Sequence, residues 1–208
     1  MKWFSLIAAI LCLLFLVGCG EGPGPSDEEA VKIVAELVGD SYELNEIYFG
    51  AGMRSEVEEK EGFAGIYGYV SDDAPYLTEN DLRAATLKVF TKDYSNIIFQ
   101  TFLSGYSDDK SGAVVYARYI ENGDRLMKRA DYEPLVPDAR TYDLENITIV
   151  SSRAATITAT LHSYVNGVPD VDVTVTLRLE ERERDTGEET GDVTDPYEMV
   201  WRLDTPTY

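Results

Sequence analysis

The chain of 208 residues carries 38 carboxylates against 18 Lys and Arg, a net charge of −20, on an ordinary globular composition of 44% apolar and 27% charged residues. That balance excludes a nucleic-acid surface, whose phosphates demand Lys and Arg, and argues against a domain lying flat on anionic lipid. A chain of this length forms about one domain, with a core that needs no staples.

The first element is a leader. Met1-Lys2 supplies positive charge, and Trp3 to Val17 is an almost unbroken apolar run. The run is short for a bilayer-spanning helix, which takes about 20 residues, and suits the apolar region of a signal peptide. Leu16-Val17-Gly18-Cys19 then resembles the bacterial lipobox. The resemblance implies diacylglycerol on the Cys19 sulfur and cleavage before it. Two acyl chains or more anchor stably where one is marginal. Residues 1–18 are therefore expected to be a lipoprotein signal peptide. Residues 19–26, rich in Gly and Pro, are expected to be a flexible lipid-bearing tether, and residues 27–208 one domain. The expected location is extracytoplasmic, on a bacterial membrane. Cys12 leaves with the leader, so the mature chain has no disulfide partner for Cys19.

Ser26-Asp27-Glu28-Glu29 is a capping box that opens a helix with Ala30, Val31, Val34, Leu37 and Val38 on one face. The pattern runs to about Phe49 and stops at Gly50-Ala51-Gly52. Residues 53–62 are polar and acidic and are expected to be exposed. Phe63 to Val70 suggests an extended edge segment, and Asp72-Asp73-Ala74-Pro75 a turn. Thr78 caps a second helix with Leu82, Ala85, Val89 and Phe90 as its apolar face. Thr91 caps a third, with Tyr94, Ile97, Ile98 and Phe102 inward and Gly105 as the stop.

Beyond residue 110 the apolar period changes from helical to two. Ala113 to Ile120 reads as a strand, and Asn122-Gly123-Asp124 as a hairpin turn leading to Leu126-Met127. Residues 130–142 read as a loop holding Pro134 and Pro137, and Ile147 and Ile149 as part of a strand. Long alternating strands follow at 153–164, 170–180 and 197–204, with Asn166-Gly167 a second hairpin turn. Residues 181–194, nearly all Glu, Arg, Asp, Thr and Gly, read as a long mobile hairpin loop. Strands with one apolar and one polar face form an antiparallel sheet covered on one side, and the earlier helices are the cover. The expected class is α+β, with N-terminal helices packed on one face of a curved antiparallel sheet of the cystatin-like or nuclear-transport-factor-2-like kind.

Catalytic chemistry finds little material. His162 is the single histidine, on the polar face of its strand, and Cys19 is taken by lipid. Neither a Cys–His pair nor a histidine zinc cluster is available, and no Gly-x-Ser-x-Gly elbow is present. Ser107-Asp108-Asp109-Lys110-Ser111-Gly112 lacks the order and closing Glu of a calcium loop and reads as a turn. No enzymatic activity, cofactor or metal is expected. Among the 14 tyrosines, Tyr67, Tyr69, Tyr116 and Tyr119 are candidates to line a cleft or a protein-binding surface.

Tyr67-Gly68-Tyr69-Val70, Thr78 with Asp81-Leu82, Val89 to Tyr94, Tyr119 to Gly123 and Trp201-Arg202-Leu203 together resemble the DL-endopeptidase inhibitor family over about residues 65–205. The chain reads Gly123-Asp124-Arg125-Leu126 where that family carries Gly-Lys-Leu-Tyr. The resemblance implies a secreted, non-catalytic protein that blocks peptidoglycan-cutting cysteine endopeptidases. The expected function is a membrane-anchored protein-binding module whose partner is a cell-wall hydrolase or another envelope protein. The alternative is a small-ligand-binding lipoprotein with a pocket between helices and sheet.

Overall fold

The computed structural model describes residues 22–57, 67–108, 113–135, 140–183 and 197–208. The fold is α+β, with helices packed against antiparallel sheets. Helix α1 spans Asp27–Tyr48, α2 spans Glu79–Val89 and α3 spans Lys92–Phe99, continuing into a π-helical turn over Gln100–Ser104. The strands are β1 (Ser55–Val57), β2 (Tyr67–Val70), β3 (Tyr106–Asp108), β4 (Ala113–Val115), β5 (Tyr119–Asn122), β6 (Arg125–Arg129), β7 (Arg140–Tyr142), β8 (Thr148–Arg153), β9 (Thr156–Leu161), β10 (Ser163–Val165), β11 (Val168–Pro169), β12 (Val173–Glu183) and β13 (Tyr197–Leu203).

Local capping chemistry sets where the helices begin. The Ser26 backbone N–H donates to the Glu29 carboxylate at 3.0 Å, and the Glu29 N–H donates to Ser26 Oγ at 3.3 Å, a reciprocal box. Thr78 and Thr91 accept from the Asp81 and Tyr94 N–H groups in the same way. Helix α1 buries Ala30, Val34, Val38, Leu44 and Ile47 over β8 and β13. One apolar cluster runs from Ala30 through Phe90, Phe102 and Tyr119 to Ile157, Val175 and Leu203.

The strands fall into separate hydrogen-bonded sets. The longest ladder has the order β13-β12-β9-β8, and a second has the order β1-β2-β6-β5. Smaller sets are β11-β10-β7 and β3-β4. Asn166 (φ 52°) and Gly167 (φ 76°) both occupy the left-handed region that a two-residue turn between β10 and β11 requires.

Several sequence expectations are corrected. Met53 is buried and Ser55–Val57 pairs with β2, so this part of 53–62 belongs to the fold. Residues 58–66 lie outside the described residues. β2 is an interior strand, held by β1 on one side and β6 on the other. The strand expected over 113–120 divides into β4 and β5, because Arg118 turns inward and its N–H bonds to Phe102 O at 2.9 Å. Ile97 is 60% exposed. Residues 130–142 include β7. The strand at 153–164 breaks at His162, where the chain passes from one sheet to another. Val171 is 66% exposed, and β12 begins at Val173. The β12 and β13 ladder continues through Glu183 opposite Tyr197, so the expected loop starts later than residue 181, and 184–196 lie outside the described residues. Of the Ser107–Gly112 turn, Ser107 and Asp108 belong to β3. Finally, residues 22–25 of the expected flexible tether are docked. Pro23 bridges Arg153, Gly22 O accepts from the Ala154 N–H at 3.0 Å, and Pro25 O accepts from Ser152 Oγ at 2.6 Å.

Candidate functional site

The four tyrosines named from the sequence do not converge on one cleft. Tyr119 is fully buried; its hydroxyl donates to Ile47 O and accepts from the Met53 N–H, both at 3.0 Å. Tyr67 is buried, with its hydroxyl donating to Ala117 O at 2.8 Å. Burial pushes the hydroxyls of both above the ordinary tyrosine range. Tyr69 is half-buried, accepts from Asn122 Nδ2 at 2.6 Å, and lies under the Arg125 guanidinium. Tyr116 is exposed beside Arg129, whose guanidinium sits 4.7 Å from the ring centroid. Cys19 lies outside the described residues.

His162 Nδ1 meets Asp172 Oδ1 at 2.7 Å, and both side chains are more than half exposed. The Asp172 hydrogen bond and charge raise the imidazole above its ordinary value.

A groove of about 1050 Å³ lies elsewhere, between α2, α3 and the β12–β13 ladder. Its geometry begins at the corner between the helices. Phe90 makes a parallel bridge to Leu203, and the Thr91 N–H donates to Leu203 O at 2.8 Å. Thr91 Oγ1 donates to Asp204 at 2.9 Å while accepting from the Tyr94 N–H. This corner fastens both helices to the end of β13. Leu82, Thr86 and Val89 turn α2 into the core, which leaves Ala84, Leu87 and Lys88 on the groove side. Lys92 and Asn96, one helical turn apart, continue the wall on α3.

The opposite wall is charged. Glu180 accepts from the Lys92 backbone N–H at 3.1 Å, a carboxylate at the positive end of α3. It also accepts from Arg202 Nη1 at 3.2 Å. Arg182 Nε donates to Glu198 at 2.9 Å. Arg83 pairs with Glu79 at 2.7 Å and lies 4.4 Å from the Phe99 centroid. Arg83 and Arg182 are therefore neutralised by neighbours. Lys88 and Lys92 have no ion pair among the described residues, and Arg202, only 6% exposed, has an Nε with no hydrogen-bond partner there.

Glu181 and Glu183 line the same groove, so Lys88 and Lys92 stand in a lining of both charge signs beside an apolar strip of Ala84, Leu87 and Phe99. Such a lining suits a chain or molecule that carries charged groups beside apolar ones. The sequence reading missed it because its residues come from three separated segments. The one local signal was the placing of Arg83, Lys88 and Lys92 within a short stretch of an acidic chain. No family model matches the chain, and no curated protein is significantly similar to it.

Proposed function

We propose that the protein is a membrane-anchored extracytoplasmic lipoprotein that acts as a non-catalytic protein-binding module, with a cell-wall DL-endopeptidase as its partner. The α2/α3/β12–β13 groove is the binding face, and the observation that carries this is a concavity that gathers Lys88, Lys92 and Arg202 beside an apolar strip, with no ion pair on either lysine among the described residues. The groove is wide and lined by long charged side chains, which suits an extended polypeptide segment better than a compact apolar ligand. Steering by the lysines favours a carboxylate-bearing segment on the partner and weakens as salt rises. The exposed His162–Asp172 pair, away from the groove, supports a non-catalytic role.

The small-ligand alternative uses the same groove. It is favoured by Lys88, Lys92 and Arg202 sharing one lining, which suits the carboxylate of a small anion.

The test is peptidoglycan hydrolysis by a purified DL-endopeptidase with and without the soluble domain, residues 20–208. The expected result is inhibition that weakens at least tenfold in the double variant Lys88→Glu/Lys92→Glu. No inhibition and no complex by size exclusion would sink the inhibitor reading. Calorimetric binding of a small dicarboxylate, lost in the same variant, would transfer the groove to the alternative.

A further inference from the structure

The N-terminal tether enters the fold at one end of the main sheet, and that end can be identified. Residues 22–25 run alongside the last residues of β8, with Pro25 beside Ser152 and Gly22 beside Ala154. From Pro25 back to Gly22 the chain therefore runs toward the Ala154-Ala155 turn between β8 and β9. Only Gly20 and Glu21 separate Gly22 from Cys19, a span of roughly 10 Å at full extension. The tether is seated closely. A Cβ on Gly24 would come within 2.4 Å of Arg153 O and 2.5 Å of Arg153 C and N, backbone atoms that cannot yield.

The β12–β13 hairpin projects from the same end. Arg178 of β12 stands opposite Thr156, the first residue of β9, and the Leu179 N–H bonds to Ala155 O at 3.1 Å. Glu180 to Glu183 continue beyond the turn, paired only with β13. These residues form one wall of the groove. The Asn166-Gly167 turn lies beyond the other end of β9, a six-residue strand of about 20 Å, and a change of sheet away from Ala155.

We propose that the docked tether fixes the domain's orientation on the bilayer, with the β8–β9 turn, and the end of the β12–β13 ladder beside it, toward the lipid headgroups. The occupant of this face is the phospholipid membrane that holds the Cys19 acyl chains, so the inference rests on the lipid-anchor reading above. A flexible tether would let the domain tumble. Three backbone or side-chain contacts on residues 22–25 hold it instead, and the wall of the groove is presented to partners held at the same membrane.

The experiment uses the full acylated protein in vesicles of phosphatidylethanolamine and phosphatidylglycerol, carrying a fluorophore on Ala155→Cys or, separately, on Val168→Cys. Both positions are exposed, and acylation blocks Cys19. A nitroxide attached to lipid headgroups is the quencher. The expected result is quenching several-fold stronger at 155 than at 168. Gly24→Val should bring the ratio close to one while flotation with vesicles is unchanged. Equal quenching at the two positions, or a contrast that survives Gly24→Val, overturns the proposal. Flotation of a Cys19→Ala variant equal to that of the parent overturns the anchor itself, separately from the orientation.

Discussion

Two buried arginines answer the same physical problem in opposite ways. Arg118 is 1% exposed and directs its guanidinium at the end of α1, donating to Tyr48 O and Gly50 O, each at 2.6 Å. Helix α1 has no basic residue in its last turn, so this distant cation supplies donors for carbonyls that the helix leaves unpaired. Tyr132 covers the guanidinium with its ring centroid 4.5 Å away. Gly52 (φ 77°) leaves room beside it, since a Cβ there would sit 2.5 Å from Arg118 Nη2. Arg202 is nearly as buried and lines the groove, yet among the described residues its guanidinium has one partner, the part-exposed Glu180, and its buried Nε has none. Burial alone does not mark a binding cation. Both leave Nε without a partner among the described residues, so the difference lies in the acceptors: two backbone carbonyls at a helix end for Arg118, one part-exposed carboxylate for Arg202.

The comparison is sharpened most by removing Arg118. Arg118→Met orphans two carbonyls at the α1 terminus and is expected to cost about 3 kcal/mol. Thermal melting should show a fall of roughly 6–12 °C for a domain of this size. A melt within a degree or two of the parent would mean that water satisfies those carbonyls equally well. Thr91→Ala comes next. It removes the α3 cap and the tie to Asp204 together, and about 1–2 kcal/mol is expected to be lost in chemical denaturation. Groove binding should weaken in parallel, because the same corner sets the spacing of the two walls. Arg202→Met should cost within about 1 kcal/mol, since Glu180 keeps the Lys92 N–H and a share of solvent. Its larger effect is expected on partner affinity. A variant destabilised by several kcal/mol that still binds with parental affinity while folded would make Arg202 a structural residue like Arg118.

The contrast also explains which parts of the molecule could be read from the sequence. Ser26, Thr78 and Thr91 were legible as caps, and Asn122-Gly123 and Asn166-Gly167 as turns, because each is decided by hydrogen bonds or dihedrals within a few residues. The class followed from the change of apolar period after the helices. The breaks at Tyr116–Arg118 and at His162 were not legible. Strand alternation continues through both, and only the distant α1 terminus and the second sheet redirect the chain. Tyr67 and Tyr119 read as candidates for a cleft or a protein-binding surface, but a buried tyrosine hydroxyl is costly only where it lacks a partner. Ala117 O and Ile47 O remove that cost inside the fold. The groove was invisible for a related reason, since Lys88 and Glu180 are neighbours only after α2, α3 and β12 have packed.

The smallest expected effect tests a third kind of cation, one whose partner is in place but whose charge is conditional. His162 is raised above its ordinary value by the hydrogen bond and charge of Asp172, with a further contribution from Asp143. A group with a raised folded-state value stabilises the fold when protonated. Its contribution is complete below about pH 6.5, the unfolded value, and is lost as the pH climbs through the folded value. His162→Gln should therefore melt slightly below the parent at pH 5.5 and together with it at pH 8. The difference at pH 5.5 should shrink with added salt, because the pair is open to solvent. A deficit of equal size at both pH values would mean that the imidazole acts as a neutral hydrogen-bonding group. His162 would then resemble Arg118, with a role fixed by geometry.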